Sequence, residues 1–278
     1  MQWIVKYLTS SIGRKQIMGC TGAILALFIL GHMVGNLQLL NPDVAAAQAS
    51  YNAYAELLTH SKVFIYTVEL VMIIVFVAHI FLAVTLKLEN NKARGPVGYE
   101  VNARSGRKTF ATFTMIWSGL FVLAFVIQHL VMIKFGEYYY YQNEAGEIIR
   151  DMWLTTIDMF SSPCWTVFYL ISMFIIGMHL FHAISSAFQT LGISHHKWDS
   201  IIEKFGILYS VVVALGFAIE AAASFYIANL DDTKALREAS RQKSQELQKE
   251  VEAGKNSAYL LPDSVDEVMV SYVIEGGR

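Results

Sequence analysis

The sequence predicts an all-α fold: an integral membrane bundle of five transmembrane helices, followed by a polar C-terminal tail. Hydrophobic residues make up 55% of the 278 residues and charged residues only 16%, against about a quarter charged in soluble domains. The last 48 residues carry 17 of the 44 charged side chains. Five apolar segments each reach the roughly 20 residues that a helix needs to cross a bilayer. These observations exclude an ordinary soluble enzyme and a disordered scaffold.

The five apolar segments are rich in Leu, Ile, Val, Phe and Ala, and charged residues or proline bound them. Helices are expected because an isolated strand cannot satisfy its backbone polar groups in lipid. Arg14 and Lys15 precede an apolar run long enough to span, so the N-terminus does not resemble a cleavable signal. The predicted spans cover residues 17–40, 63–88, 109–135, 164–190 and 205–230.

The distribution of Lys and Arg predicts the orientation. They gather before the first span and in the second loop, residues 87–108, which holds six of them, whereas the first loop holds only Lys62. The positive-inside rule then places the N-terminus and the second and fourth loops in the cytoplasm. We therefore expect a multi-pass protein of a bacterial cytoplasmic (inner) membrane with an extracytoplasmic C-terminus. The net charge of −2 gives no reason to expect a nucleic-acid partner.

The chain divides into a membrane domain, residues 1–230, and a charged tail, residues 231–278. Residues 232–253 have a helical pattern, and Gly254 follows as a stop signal. Residues 258–274 are patchily apolar and could extend along a partner. The favoured interpretation is a solvated cap helix with a loose end. The helix carries a thin apolar stripe of Leu236, Leu247 and Val251.

The two cysteines, Cys20 and Cys164, are too few for a disulfide framework or an iron–sulfur cluster. The chain has no C-x-x-C-H motif for covalent haem attachment and no G-x-G-x-x-G motif for FAD. Any flavin or iron–sulfur chemistry would therefore belong to other chains.

Five of the eight histidines lie inside apolar spans, where an ionisable side chain is a functional hypothesis by default. At about 1.5 Å per residue, His32 lies roughly 22 Å from the cytoplasmic entry of its span, and His129 lies in the outer half likewise. His79 lies about 24 Å inward from the outer entry of the second span. His179 and His182 lie in the inner half of the fourth. His32 can thus face His129, and His79 can face His179 or His182.

Two imidazoles from facing helices at one depth are what a six-coordinate b-type haem requires. Two such layers predict two haems stacked across the bilayer, with electron transfer rather than oxygen activation as their chemistry. The alternative is that the histidines are hydrogen-bonded or line a polar path, as in a non-redox transporter. Four glycines near the histidines suggest room for a flat macrocycle: Gly31, Gly35, Gly119 and Gly177.

This layout resembles the dihaem cytochrome b membrane anchor of succinate:quinone oxidoreductases, found in some succinate dehydrogenases and fumarate reductases. The resemblance covers about residues 1–230. It implies that the first ligand pairs with the third and the second with the fourth, and the spacing to Gly192 fits His179 better than His182. Some members of the family carry, at the position of Gly177, a Glu that is linked to proton movement. Because this chain has Gly there, the resemblance does not imply that proton path for it. The matching strings are FILGHMVGN, FVAHIFLAVTLKLENNKARG, FVIQHLVMIKFG and MHLFHAISSAFQTLG.

The resemblance also implies partners. A flavoprotein with FAD would carry the dicarboxylate chemistry of the tricarboxylic acid cycle, and an iron–sulfur subunit would pass electrons to this respiratory-chain anchor. The basic cytoplasmic loop is the expected docking surface. Quinone is the expected membrane carrier, and menaquinone is common among dihaem members. A dihaem cytochrome b serving a hydrogenase, a formate dehydrogenase or a quinol–cytochrome c reductase is an alternative.

Glu69 and Glu220 are the only carboxylates well inside the predicted spans. Both belong to the outer half, with His32 and His129. A carboxyl group near a haem is a reasonable proton relay for a quinone, so both are candidate quinone residues. The alternatives are a protonated structural Glu and a quinone site at the cytoplasmic end, around Ser11 and Arg14.

Overall fold

The computed structural model describes residues 2–94, 110–193, 195 and 197–254. These residues form nine α-helices, a 3₁₀ turn (Leu37–Leu40), a π-helical turn (Leu130–Lys134) and a β-hairpin. The helices are α1 (Gln2–Leu8), α2 (Ser11–Asn36), α3 (Val44–Thr59), α4 (Lys62–Arg94), α5 (Phe110–His129), α6 (Met152–Phe160), α7 (Pro163–Thr190), α8 (Asp199–Ala228) and α9 (Asp231–Glu252), and the strands are β1 (Tyr140–Gln142) and β2 (Ile148–Arg150).

Five of these helices are long and apolar enough to cross a membrane: α2, α4, α5, α7 and α8. They confirm the five predicted spans, with differences at two N-termini. α2 begins at Ser11 rather than residue 17, because the Ser10 hydroxyl accepts the Gly13 N–H at 3.1 Å and caps the helix. α8 begins at Asp199 rather than residue 205, with that carboxylate in the first turn, where the helix dipole favours negative charge.

The long helices pack as an antiparallel bundle. α2 packs against α4 and α7, α5 packs against α7, and α7 packs against α8. The open end of the bundle is where α2, α5 and α8 begin, and the capped end is where α4 and α7 begin. Between the ends lies a core of buried apolar side chains, which includes Ala26, Phe125, Tyr169, Met173, Ile176, Leu180 and Val213.

Helices α3 and α6, the hairpin and α9 cover the capped end. Asp43 caps α3 by accepting the Ala46 N–H at 3.1 Å. Asp151 caps α6 and also accepts hydrogen bonds from the side chains of Gln48 at 2.6 Å and Asn52 at 2.8 Å. These contacts join α3 to α6 around a second core, formed by Leu39, Ala47, Tyr51, Trp153, Leu154, Ile157 and Ala228.

Helix α9 packs on this cap. Asp158 of α6 accepts from Arg237 Nε at 2.6 Å and from Arg241 at 2.8 Å. Ser244 Oγ accepts the Tyr140 N–H of the hairpin at 2.8 Å. Of the predicted apolar stripe, Leu247 and Val251 are buried, so this helix lies against the protein rather than being solvated on every side. The predicted extended segment 258–274 lies outside the described residues, as do Arg104, Arg107 and Lys108 of the basic loop.

Candidate functional site

His32 on α2 and His129 on α5 lie side by side towards the capped end. Their imidazole centroids are 5.8 Å apart, with the ring planes at 82°. If each ligand nitrogen lies about 2 Å from a shared metal and about 1 Å from its own ring centre, the centroids should be about 6 Å apart. The spacing is compatible with two imidazoles that bind one metal ion, and it is also the ordinary distance of a direct edge-to-face ring contact. We call these residues the capped-end pair.

Aromatic side chains orient the capped-end pair. Phe28 and Phe125, each one turn before the histidine of its own helix, stack on that histidine at 5.9 and 5.8 Å. Phe217 of α8 lies 5.7 Å from the His32 ring. The Tyr169 hydroxyl lies 3.1 Å from Nδ1 of the other histidine, His129. The remaining ring nitrogen, Nε2, is then the one available for a metal.

His79 on α4 and His179 on α7 lie nearer the open end, and each contacts a hydroxyl group on a neighbouring helix. Nδ1 of His79 is 3.2 Å from Thr21 Oγ1 on α2, and Nδ1 of His179 is 3.0 Å from Ser118 Oγ on α5. The two histidines are close enough to interact electrostatically. We call them the open-end pair.

The positions of Thr21 and Ser118 show how far along the bundle axis the open-end pair lies. Each lies eleven residues before the capped-end histidine of its own helix, which corresponds to about 16 Å along a helix axis. The four histidines therefore occupy two layers, and one layer lies about 16 Å further towards the open end.

Two glycines let the open-end imidazoles lie against helix backbones. A Cβ atom at Gly22 would lie 3.2 Å from Cε1 of His79, and one at Gly119 would lie 3.4 Å from Cε1 of His179. A side chain at either position would compete with the imidazole for space. Gly119 thus serves the open-end pair, although it lies on the helix of His129.

The other predicted macrocycle glycines have different surroundings. A Cβ at Gly35 would collide with the Tyr54 side chain, and one at Gly177 would lie 2.8 Å from Cβ of Ala214. These two glycines therefore allow close packing of neighbouring side chains, which is the other role that glycine has in membrane helices. In the described part of the chain, a Cβ atom at Gly31 would have no neighbouring atom within 4 Å, so the space beside this glycine is open.

The donor set fits haem better than a directly bound ion. Among the described residues, no three His, Cys, Asp or Glu side chains converge on one point. Each layer offers two imidazoles, so a metal held there needs its remaining ligands from another group. A porphyrin would supply those ligands, and the two histidines of one layer would hold its iron.

His182 lies one turn beyond His179 on α7. It is half-buried, and it interacts electrostatically with His179. The Ser118 hydroxyl contacts His179, and this contact favours His179 as the ligand over the alternative, His182.

Glu220 on α8 lies beside the capped-end pair. It is one turn from Phe217, the residue that contacts His32, and only 3% of it is exposed. Within the described residues its Oε1 atom has no hydrogen-bond partner. The Asn36 side chain of α2 lies close to this carboxyl group. The Oδ1 atom of Asn36 accepts a hydrogen bond from the Tyr51 hydroxyl at 3.2 Å. Burial raises the pKa of Tyr51 to about 12, so this hydroxyl stays protonated at neutral pH.

Glu69 on α4 has a different environment. Its carboxylate pairs with Lys134 at 2.5 Å, and about a third of its side chain is exposed. Lys134 ends the π-helical turn that follows His129, and Arg150 donates to the last two main-chain carbonyls of that turn at 2.9 Å. Turns of this kind are frequent at functional sites. Glu69 and Glu220 thus both lie at the capped end, as predicted from the sequence, but only Glu220 is deeply buried.

The alternative quinone residues lie at the open end. Ser11 is the first residue of α2. Arg14 makes a bidentate ion pair with Glu89, with N–O distances of 2.5 and 2.7 Å, and this pair links α2 to α4. The structure therefore gives Arg14 a partner within the chain.

Sequence reasoning missed the two hydroxyl partners, although a signal was present. The pattern Met-x₂-[Thr/Ser]-Gly-x₅-Phe-x₃-His occurs twice, over residues 18–32 in α2 and residues 115–129 in α5. Each copy contains one capped-end histidine together with the hydroxyl and glycine that contact an open-end histidine. A search for internal repeats would have found Thr21 and Ser118.

Comparison with known proteins identifies no relative, because no family model, no curated protein and no solved structure matches this chain.

Proposed function

We propose that this chain is the membrane-anchor cytochrome b subunit of a succinate:quinone oxidoreductase. It carries electrons between an iron–sulfur subunit and membrane quinone through two haem b groups. The observation that supports this most strongly is the arrangement of histidines from four helices as two pairs in two layers. Five helices apolar enough to cross a membrane are consistent with such an anchor.

Each haem has its own pair of ligands. His32 and His129 hold the haem near the capped end, and His79 and His179 hold the haem near the open end. Haem bound between two histidines carries single electrons and leaves no open iron position for oxygen. The stacked Phe28 and Phe125 rings help to fix the orientation of the capped-end imidazoles.

The quinone reacts at the capped end. Reduction of a quinone takes up protons, and its reverse releases them, so a residue that can hold a proton is needed there. Glu220 supports this role because one of its carboxylate oxygens is buried without a partner among the described residues. Glu69 is the second candidate, because its position near the bundle surface would let a quinone reach it from the lipid. Menaquinone is the quinone that the resemblance favours, because it is common among dihaem members.

The iron–sulfur subunit docks on the open end. Lys87 and Lys92 near the end of α4 place positive charge there. The positive-inside rule puts this end in the cytoplasm of a bacterial cell. The open-end haem then lies nearest the iron–sulfur partner. Succinate or fumarate chemistry occurs on a flavoprotein that carries FAD.

The test is to purify the chain with its native partners and record reduced-minus-oxidised spectra. We expect b-type bands that succinate reduces or fumarate oxidises, together with one FAD-containing chain and one iron–sulfur chain. The same bands with hydrogenase or formate dehydrogenase chains would contradict the succinate assignment. The absence of haem bands would contradict the cytochrome assignment and favour a transporter.

A further inference from the structure

Thr21 and Ser118 have already used the one proton that each hydroxyl can donate. Thr21 Oγ1 donates to the Met18 carbonyl at 3.0 Å, and Ser118 Oγ donates to the Met115 carbonyl at 3.0 Å. A hydroxyl has one proton and two lone pairs. In its contact with the imidazole, each of these hydroxyls therefore acts as the hydrogen-bond acceptor.

This acceptor role determines which imidazole nitrogen is protonated. When each hydroxyl donates to its main-chain carbonyl, it accepts from the imidazole, and Nδ1 of His79 and Nδ1 of His179 then carry the hydrogens. In a neutral imidazole, the lone pair available to a metal is then on Nε2.

The capped-end pair is held differently. His129 meets a phenol hydroxyl, that of Tyr169, at 3.1 Å, and His32 is packed between Phe28 and Phe217. Of the four paired histidines, His79 and His179 are the two that contact a hydroxyl lying 3.0 Å from a main-chain carbonyl. The two layers differ in the hydrogen bonding of their ligands.

The repeated pattern in α2 and α5 links the two layers. Each helix supplies a ligand to the capped-end layer and, eleven residues earlier, a hydroxyl and a glycine to the open-end layer. Thr21 and Ser118 therefore make equivalent contacts from two helices. Because the same contact occurs twice, we infer that both hydroxyls have the same role towards their imidazoles. That role goes beyond packing.

Building on the proposed function, we propose that Thr21 and Ser118 are positioning residues of the open-end haem. Their hydroxyls fix the tautomer and ring orientation of His79 and His179, and they hold the reduction potential of that haem down. A histidine that donates its second N–H becomes a more basic ligand. A hydroxyl that is already donating to a carbonyl is polarised and accepts more strongly. More basic axial ligands stabilise the oxidised iron, so loss of either hydroxyl should raise the potential.

The test uses the purified full complex with Thr21→Val, Ser118→Ala and the double variant. Val keeps the shape of Thr and Ala nearly that of Ser, so each change removes the hydroxyl. Redox titration at the haem α-band and low-temperature EPR report on both haems in the same sample. We expect an upward shift of one midpoint potential and a change in one of two low-spin EPR signals, largest in the double variant. The capped-end haem is the internal control.

Thr21→Ser is the matched control, because it keeps the hydroxyl and loses only a methyl group. It should retain the wild-type potential and EPR signal. Loss of the open-end haem in Thr21→Val but not in Thr21→Ser would also support the proposal. Unchanged potentials and EPR signals in the double variant, with both haems present, would overturn it, as would equal effects of Thr21→Ser and Thr21→Val. A wild-type complex without two haems would instead overturn the proposed function, and this is measured before any variant.

Discussion

Glu220 has a carboxylate oxygen that is buried without a partner among the described residues. A buried polar atom without a hydrogen bond costs free energy, so such an atom in a native structure calls for an explanation. A ligand that donates a hydrogen bond, such as a quinol hydroxyl, would satisfy it. Glu69 needs no such ligand, because Lys134 already pairs with its carboxylate.

The first prediction concerns this carboxyl group. Glu220→Gln keeps the shape of the side chain and removes its ability to exchange a proton. Both haems and dye-linked succinate or fumarate activity should be retained, while quinone-linked turnover should fall by roughly 10²-fold, the usual contribution of a positioned acid or base. The measurement is the ratio of quinone-linked to dye-linked activity.

Glu69→Gln is the comparison for this prediction. It removes a carboxylate at the same end of the bundle, but one that is paired and partly exposed. A loss of turnover in this variant instead would assign the proton role to Glu69. Full turnover in both variants would contradict a capped-end quinone site and direct attention to Ser11 and Arg14 at the open end.

The histidine positions could be predicted from sequence because ionisable residues stand out in apolar spans and depth follows from helix rise. Their hydroxyl partners could not be predicted in the same way. Thr and Ser are common in membrane helices, and their role depends on which helix faces which imidazole. The burial of Glu220 likewise depends on how α8 packs against α2, the helix that carries Asn36.

Among the helices and strands, the long apolar spans could be predicted and the cap could not. Helix α6 and the hairpin strands are short, and they lie in a loop where apolar runs are too brief to be distinctive. Their structure depends on contacts between segments far apart in sequence, such as the hydrogen bonds of Asp151 with Gln48 and Asn52. Helix α9 was predicted from its charge pattern, but its packing against Asp158 was not.

The second prediction concerns the attachment of α9. Asp158→Ala should release the helix from the cap, because Arg237, only 11% exposed, then loses its carboxylate partner. Removing one partner of a largely buried ion pair costs roughly 2 kcal/mol or more, about a 30-fold change in the opening equilibrium. Limited trypsin digestion of the purified protein should show correspondingly faster cleavage within α9.

Glu246→Ala is the matched control, since it breaks an ion pair with Lys243 in which both side chains are mostly exposed. Exposed pairs contribute little to stability, so its digestion should resemble that of the wild type. Equal digestion rates in Asp158→Ala and in the wild type would show that the ion pairs of Asp158 do not hold α9.

In the molecule as a whole, the two histidine layers form one path along the bundle. They lie about 16 Å apart, within a hydrocarbon core of about 30 Å. The capped-end layer lies beside both candidate quinone residues, and the open-end layer lies towards the basic end of the chain. Under the proposed function, electrons would enter at the open-end layer and reach quinone at the capped-end layer.

The most direct test of this account is the haem content of the purified chain, measured by the pyridine haemochrome assay in the wild type and in single histidine variants. We predict two protohaem groups per chain in the wild type. We predict one in each of His32→Ala, His129→Ala, His79→Ala and His179→Ala, with the first two variants losing one spectral species and the last two losing the other. Two haems in His179→Ala but one in His182→Ala would move that ligand to His182. One haem or none in the wild type would contradict the dihaem assignment itself.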